Sequence, residues 1–185
     1  MSFTESIKTV FFYKYATFKG RASRSEYWWS VLALVILGAV SLAINETFYL
    51  IVSLLTLIPS LSMAFRRLHD TNRSGLHAII NFTLWVITFV LAAVMFFSAF
   101  AFLGSDPAIF DPAIFDSMIT GQEPNFSNEA MEGVGLLGAS VIGYLVFFIA
   151  ALIHTIFLIV VCIFKGDESD NRFGSNPLLS QSTEE

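Results

Sequence analysis

A chain of 185 residues that is 55% apolar and only 14% charged, with a mean hydropathy of +0.70, lies well outside the soluble globular norm. A single cysteine, Cys162, excludes an internal disulfide framework. The net charge of −5 decides little, because the charges are sorted by segment. What remains is a small polytopic membrane protein, and its twenty phenylalanines suit lipid-facing and helix-packing roles.

Residues 2–19 read as an amphipathic opening. Phe3, Ile7, Val10, Phe11 and Phe18 recur at helical spacing, and Lys8, Lys14 and Lys19 supply the basic side chains. Ser2 and Glu5 have capping-box spacing. The stretch is too mixed for a secretory signal, since Glu5 sits in the would-be basic region and no apolar core follows. Such a composition predicts a helix lying in the membrane interface, with packing on the helix bundle as the alternative.

A second capping box, Ser23 to Glu26, leads directly into Tyr27-Trp28-Trp29, an aromatic belt that marks a membrane boundary. The first span is expected at about 28–44, followed by a short turn at Asn45-Glu46 and a second span at about 47–65. Pro59 inside the second span should kink the helix rather than end it, because buried neighbours can satisfy the carbonyl it frees. A third span covers about 76–103 and a fourth about 135–164. Between them, residues 104–132 hold six carboxylates and no Lys or Arg, with Asp-Pro-Ala-Ile-Phe repeated in tandem at 106–115. Residues 178–185 read as a flexible polar tail, and 1–177 as one membrane domain.

All ten Lys and Arg fall in residues 1–27, 66–77 and 165–185. Four spans with both termini cytoplasmic satisfy the positive-inside rule, and the acidic loop is then external. The expected fold is an all-α membrane protein with four transmembrane helices and an N-terminal amphipathic interfacial helix.

Three polar phrases share the cytoplasmic side in this scheme. They are Gly20-Arg21-Ala22-Ser23-Arg24-Ser25-Glu26, Arg66-Arg67-Leu68-His69-Asp70-Thr71-Asn72-Arg73-Ser74-Gly75, and Asn171-Arg172-Phe173-Gly174. With the flanking Phe18 and Tyr27-Trp28-Trp29, they resemble a bacterial inner-membrane family, the YhaH-type proteins, catalogued as domain of unknown function 805. The resemblance covers roughly residues 10 to 177. Asn72 stands where the family usually has Gly, and Ser175 and the long acidic loop are atypical. The resemblance implies a four-helix inner-membrane protein without an assigned activity.

Read physically, Arg66, His69, Asp70 and Arg73 share one face if the second span continues helically, so Arg66 and Asp70 can pair along it while Arg67 points elsewhere. One expectation is a structural clamp of Arg21, Arg24, Glu26, His69, Asp70, Asn171 and Arg172, built from arginine–carboxylate forks, with Asp170 also available as a partner. Another, compatible with it, is an anion or lipid-headgroup site at Arg66, Arg67 and Arg73 beside a helix start at Ser74-Gly75. Catalysis by His69 with Asp70 is disfavoured, because adjacent helical residues point about 100° apart.

His154 is the ionisable residue deepest in a span, and a neutral histidine bonded to a neighbouring helix is the expectation. Gly135, Ala139 and Gly143 are small residues spaced by four, suited to close helix packing or a homodimer. No Gly-rich phosphate loop, metal-spaced His/Cys set or nucleophile elbow occurs. No catalytic, metal, cofactor or nucleic-acid site is therefore expected. The partners expected are membrane lipids, a second copy or another membrane protein. The function expected is structural, interacting or lipid-binding, the alternative being a small oligomeric transporter or channel.

Overall fold

The structure, a computed structural model, describes residues 1–105, 116–117, 119–121 and 128–181. The Ser2–Glu5 capping box forms: Ser2 N donates to the Glu5 carboxylate at 2.7 Å, and Glu5 N donates to Ser2 Oγ at 3.4 Å. The backbone bond from Ser2, helped by the Ser2 hydroxyl, holds the Glu5 carboxyl below its ordinary range. Helix α1, Phe3–Lys8, widens into a π-helical turn over Thr9–Tyr13 and stops there, short of residue 19. Beyond it a turn closes with Thr17 N donating to Lys14 O at 3.3 Å, and the Ser62 hydroxyl lies 3.2 and 3.1 Å from the carbonyls of Lys14 and Tyr15. Ser6 and Val10 are buried, while Phe12 and Tyr13 stand exposed.

Four long helices follow, all long and apolar enough to cross a membrane. They are α2, Arg24–Ile44; α3, Glu46–Asp70; α4, Leu76–Ser105; and α5, Asn128–Ile163. A short α6, Pro177–Gln181, occupies the start of the stretch expected to be a polar tail. Asn45 separates α2 from α3 in one extended residue, and its side chain caps α3 by accepting from Phe48 N at 2.7 Å. Helix α3 runs five residues past the expected span, through Arg66-Arg67-Leu68-His69-Asp70. Helix α5 begins seven residues earlier than the expected span, at Asn128. The duplicated Asp-Pro-Ala-Ile-Phe lies outside the described residues.

Pro59 is buried within an uninterrupted α3. A proline cannot donate to the carbonyl four residues before it, here Leu55 O, which would be orphaned in hydrocarbon. The Tyr15 hydroxyl donates to that carbonyl. The residue that satisfies the proline gap therefore comes from the N-terminal segment.

The chain divides into two compact units, 1–81 with 155–185, and 82–154. In the first, Leu68, Ala78 and Val161 form a small core with Phe65, Phe157 and Leu158 against it, and Thr155 Oγ1 donates to Asn81 Oδ1 at 2.9 Å. In the second, Trp85 meets Phe148 edge-on at 6.0 Å, the hydroxyls of Ser98 and Ser140 lie 3.3 Å apart, and Gly143 packs against Leu91.

Candidate functional site

The three polar phrases converge in the first unit. At their centre is Asp70, the last residue of α3. Its Oδ1 accepts from Arg21 Nε at 2.9 Å and its Oδ2 accepts from Arg67 Nη1. The side chains of Arg21, Arg67 and Asp70 are 1%, 0% and 6% exposed, so this is a buried triad of two cations on one carboxylate. The second positive charge is spread onto backbone carbonyls. Arg21 donates to Ser169 O at 2.7 Å, to Gly174 O at 3.4 Å and to Asp167 O. Arg67 donates to Cys162 O at 3.1 Å, to Ala22 O at 3.4 Å and to Phe164 O. Guanidinium forks suit this task, because five donors in a fixed plane can serve several acceptors at once.

A second buried pair lies beside the first: Arg66 Nη1 donates to Glu26 Oε1. The backbone reinforces the same contact, with Ala22 N donating to Arg66 O at 3.0 Å. The Ser23–Glu26 capping box is consequently only half formed. Glu26 N donates to Ser23 Oγ at 3.3 Å, but the Glu26 carboxylate is spent on Arg66.

Several sequence expectations are corrected here. Arg66 does not pair with Asp70 along α3. Arg preceding an acid at i,i+4 is the weaker helical order, and each residue finds a partner on another segment instead. Arg67 does not point away from the lattice; it is fully buried within it. Arg66 and Arg67 thus have no surface to offer an external anion. Asp170 pairs with no arginine, since its Oδ1 accepts from Asn176 N at 3.0 Å. Arg24 stays outside the clamp, exposed and without an ion pair among the described residues.

The remaining predicted residues take other roles. His69 stacks flat on Phe173 at 3.9 Å, and its Nδ1 lies 3.1 Å from Gly20 O, which can only accept, so Nδ1 carries the proton. The Asp70 carboxylate is committed to arginines and not to His69. Asn171 Nδ2 donates to His69 O and to Asp167 Oδ2, both at 3.0 Å. Arg172 lies over the Phe173 ring and donates to Asn72 O at 3.2 Å. Asn72 has φ 55, the left-handed geometry that asparagine tolerates. Arg73 lies over Phe157, 5.4 Å from the ring centroid. Ser74 Oγ accepts from Leu76 N at 3.3 Å, and Gly75 is buried against the Phe65 ring, which occupies the space a Cβ would need.

Sequence reasoning missed Gly166, Asp167 and Tyr15. A Cβ at Gly166 would collide with the Asp70 carboxylate, and Asp167 N donates to Asp70 O at 2.8 Å. For Gly166 the signal was available only as a glycine two residues after the fourth apolar run. Nearby, Lys165 pairs with Glu168 on the surface, and its hydrogen bond holds the Glu168 carboxyl below the ordinary range. Among the described residues no cluster of three or more His, Cys, Asp or Glu side chains is placed to hold a metal ion.

No solved structure matches the chain. Two curated relatives, both named inner membrane protein YhaI, come from Escherichia coli strain K12 and Escherichia coli O157:H7. Each is 42% identical over 84 residues, which cover 42% of this chain and 71% of the relative. A family model described as a protein of unknown function, DUF805, matches residues 15–109, which take in the first two polar phrases and the first three long helices. The third phrase, at 171–174, lies beyond the match although it folds onto the other two. The chain is a four-span membrane protein of the DUF805 family.

Proposed function

We propose that the chain is a non-catalytic protein of the bacterial inner membrane with both termini in the cytoplasm. Its Arg/Asp/Glu lattice ties the spans together at the cytoplasmic surface, and its exposed face contacts lipid headgroups or a partner membrane protein. The observation that carries this reading is how the charged side chains are used. Arg21 and Arg67 are spent on an internal carboxylate and on carbonyls, Arg66 is buried with one nitrogen on Glu26, and His69 is stacked and hydrogen-bonded, so these groups are read as structural. The sorting of all ten basic residues supports the orientation, and the relatives' name supports the compartment.

Two measurements test it. Single cysteines at Ile119 and Leu179, in a Cys162→Ser background, should react with an impermeant reagent from opposite sides of the membrane. Equal labelling in intact cells would overturn the orientation. Liposomes containing the purified protein should leak ions and small solutes no faster than protein-free ones. Protein-dependent flux would favour the oligomeric channel or transporter instead.

A further inference from the structure

Arg24 stands outside the lattice, exposed and without an ion pair among the described residues, where two surface depressions meet. A cavity of about 250 Å³ is walled by Ser23, Arg24 and Ser25 at the start of α2, by Asp167, Glu168 and Asn176, and by the apolar Pro177 and Leu178. An apolar groove of about 510 Å³ is lined by the same Arg24 and Ser25, then by Trp28, Trp29, Leu32 and Ile163. Both lie within the first unit. A chamber rimmed by charged side chains that shares Arg24 and Ser25 with an apolar trough at the aromatic belt has the layout of an amphiphile site.

The charges narrow the class of amphiphile. Lining the cavity are three cations, Arg24, Arg67 and Lys165, and three carboxylates, Asp70, Asp167 and Glu168. Arg67 and Asp70 bind each other. Lys165 and Glu168 form an exposed pair, which is easily rearranged. Asp167 gives one oxygen to Asn171. With equal numbers of each sign the cavity has no excess positive field to favour a purely anionic headgroup. It is instead bipolar, with the Arg24 cation on the α2 side and the carboxylates of Asp167 and Glu168 on the segment after α5.

We propose that cavity and groove together hold one phospholipid with a zwitterionic amino headgroup. Its phosphate lies on the Arg24 guanidinium and the Ser25 hydroxyl, and its ammonium faces Asp167 and Glu168. One acyl chain follows Trp28, Trp29, Leu32 and Ile163. The inference deepens the lipid-contact reading above and rests on it. It also moves the headgroup from Arg66, Arg67 and Arg73, which are buried or stacked, to Arg24, which is exposed and has neither an ion pair nor a ring contact among the described residues.

The test is native mass spectrometry of protein incubated with detergent-mixed vesicles of equal phosphatidylethanolamine and phosphatidylglycerol. Wild type should retain one phosphatidylethanolamine in preference to phosphatidylglycerol. Arg24→Glu should lower that retention about tenfold, the loss of one charge-assisted contact. Leu32→Trp should lower it by filling the groove, and Glu168→Lys should reverse the headgroup preference. Arg24→Gln, checked by thermal melting for an unchanged fold, replaces Arg24→Glu if the reversal fails to fold. Phosphatidylethanolamine retention that is indifferent to Arg24 and Leu32 overturns the site while leaving lipid contact intact. Equal retention of the two lipids by wild type overturns the headgroup class. No retained lipid of either kind overturns both this site and the lipid-contact reading.

Discussion

The two compact units solve the same problem with opposite means. Among the described residues of 82–154 the buried polar ones are Thr88, Ser98 and Ser140, each returning its hydroxyl to its own helix. Their large side chains face outward, with Phe89 76% and Phe100 73% exposed. In lipid that exposure carries no penalty, because acyl chains are as apolar as the side chains, and association rests on close packing and a few hydroxyl contacts. Residues 1–81 with 155–185 instead bury three arginines and two carboxylates. Buried ion pairs are a weak source of net stability, since desolvation offsets most of the attraction, but removing one partner is expensive. The difference teaches that apolar helices alone leave many arrangements nearly equivalent, whereas the lattice favours the arrangement in which Arg21, Arg66 and Arg67 each meet a carboxylate, even with Arg66 Nε and Nη2 buried without a hydrogen-bond partner.

The sharpest way to break this contrast is Asp70→Ala, which strands Arg21 and Arg67. The expected destabilisation is about 3–5 kcal/mol, read as a fall in the unfolding midpoint in detergent. A variant as stable as wild type would remove the lattice as the organising element. Gly166→Ala comes next, because its methyl group must displace the Asp70 carboxylate. A loss of about 1–3 kcal/mol is expected, typical of overpacking, and no change would mean that the approach of 166 to Asp70 is looser than described. Tyr15→Phe removes the donor to Leu55 O while keeping the ring. A cost of about 1–2 kcal/mol is expected, together with faster amide exchange around Pro59, because the carbonyl is left without its partner. At the small end, Ser140→Ala in the apolar unit should cost about 0.6 kcal/mol or less, the usual worth of one hydroxyl contact between membrane helices. If Ser140→Ala rivalled Asp70→Ala, the two units would not differ in kind.

Much of the first level was legible in the sequence. Hydropathy alone marks four spans, since ~20 apolar residues have few other uses, and the Ser2–Glu5 cap and the convergence of three polar phrases follow from local spacing and charge sorting. Even the rescue of Pro59 was foreseeable in kind. What could not be read was pairing. Arg66, Arg67 and Asp70 offer several equivalent matches on one helix, and the choice is made by Glu26 and Arg21 from segments about 40 to 49 residues away. Backbone carbonyls were equally invisible, because the acceptors at Cys162, Phe164, Asp167 and Ser169 belong to no residue type. Arg24 looked like a clamp residue for the same reason: its charge is plain in the sequence, and its outward direction is set by where α2 begins.

Those carbonyls also impose an order on biosynthesis. Arg21 waits for Ser169, 148 positions further on, and Arg67 waits for Cys162, 95 positions further on. A ribosome-bound chain with its first three long helices made therefore has Asp70 in place but lacks the carbonyl acceptors that Arg21 and Arg67 use after residue 161. Until they emerge, those donors must be satisfied by water, and the unfinished chain is expected to be the more protease-sensitive. Completion of the 162–174 segment closes that window, so a pulse-chase of chains stalled before and after it should show a step in protease resistance rather than a gradual rise.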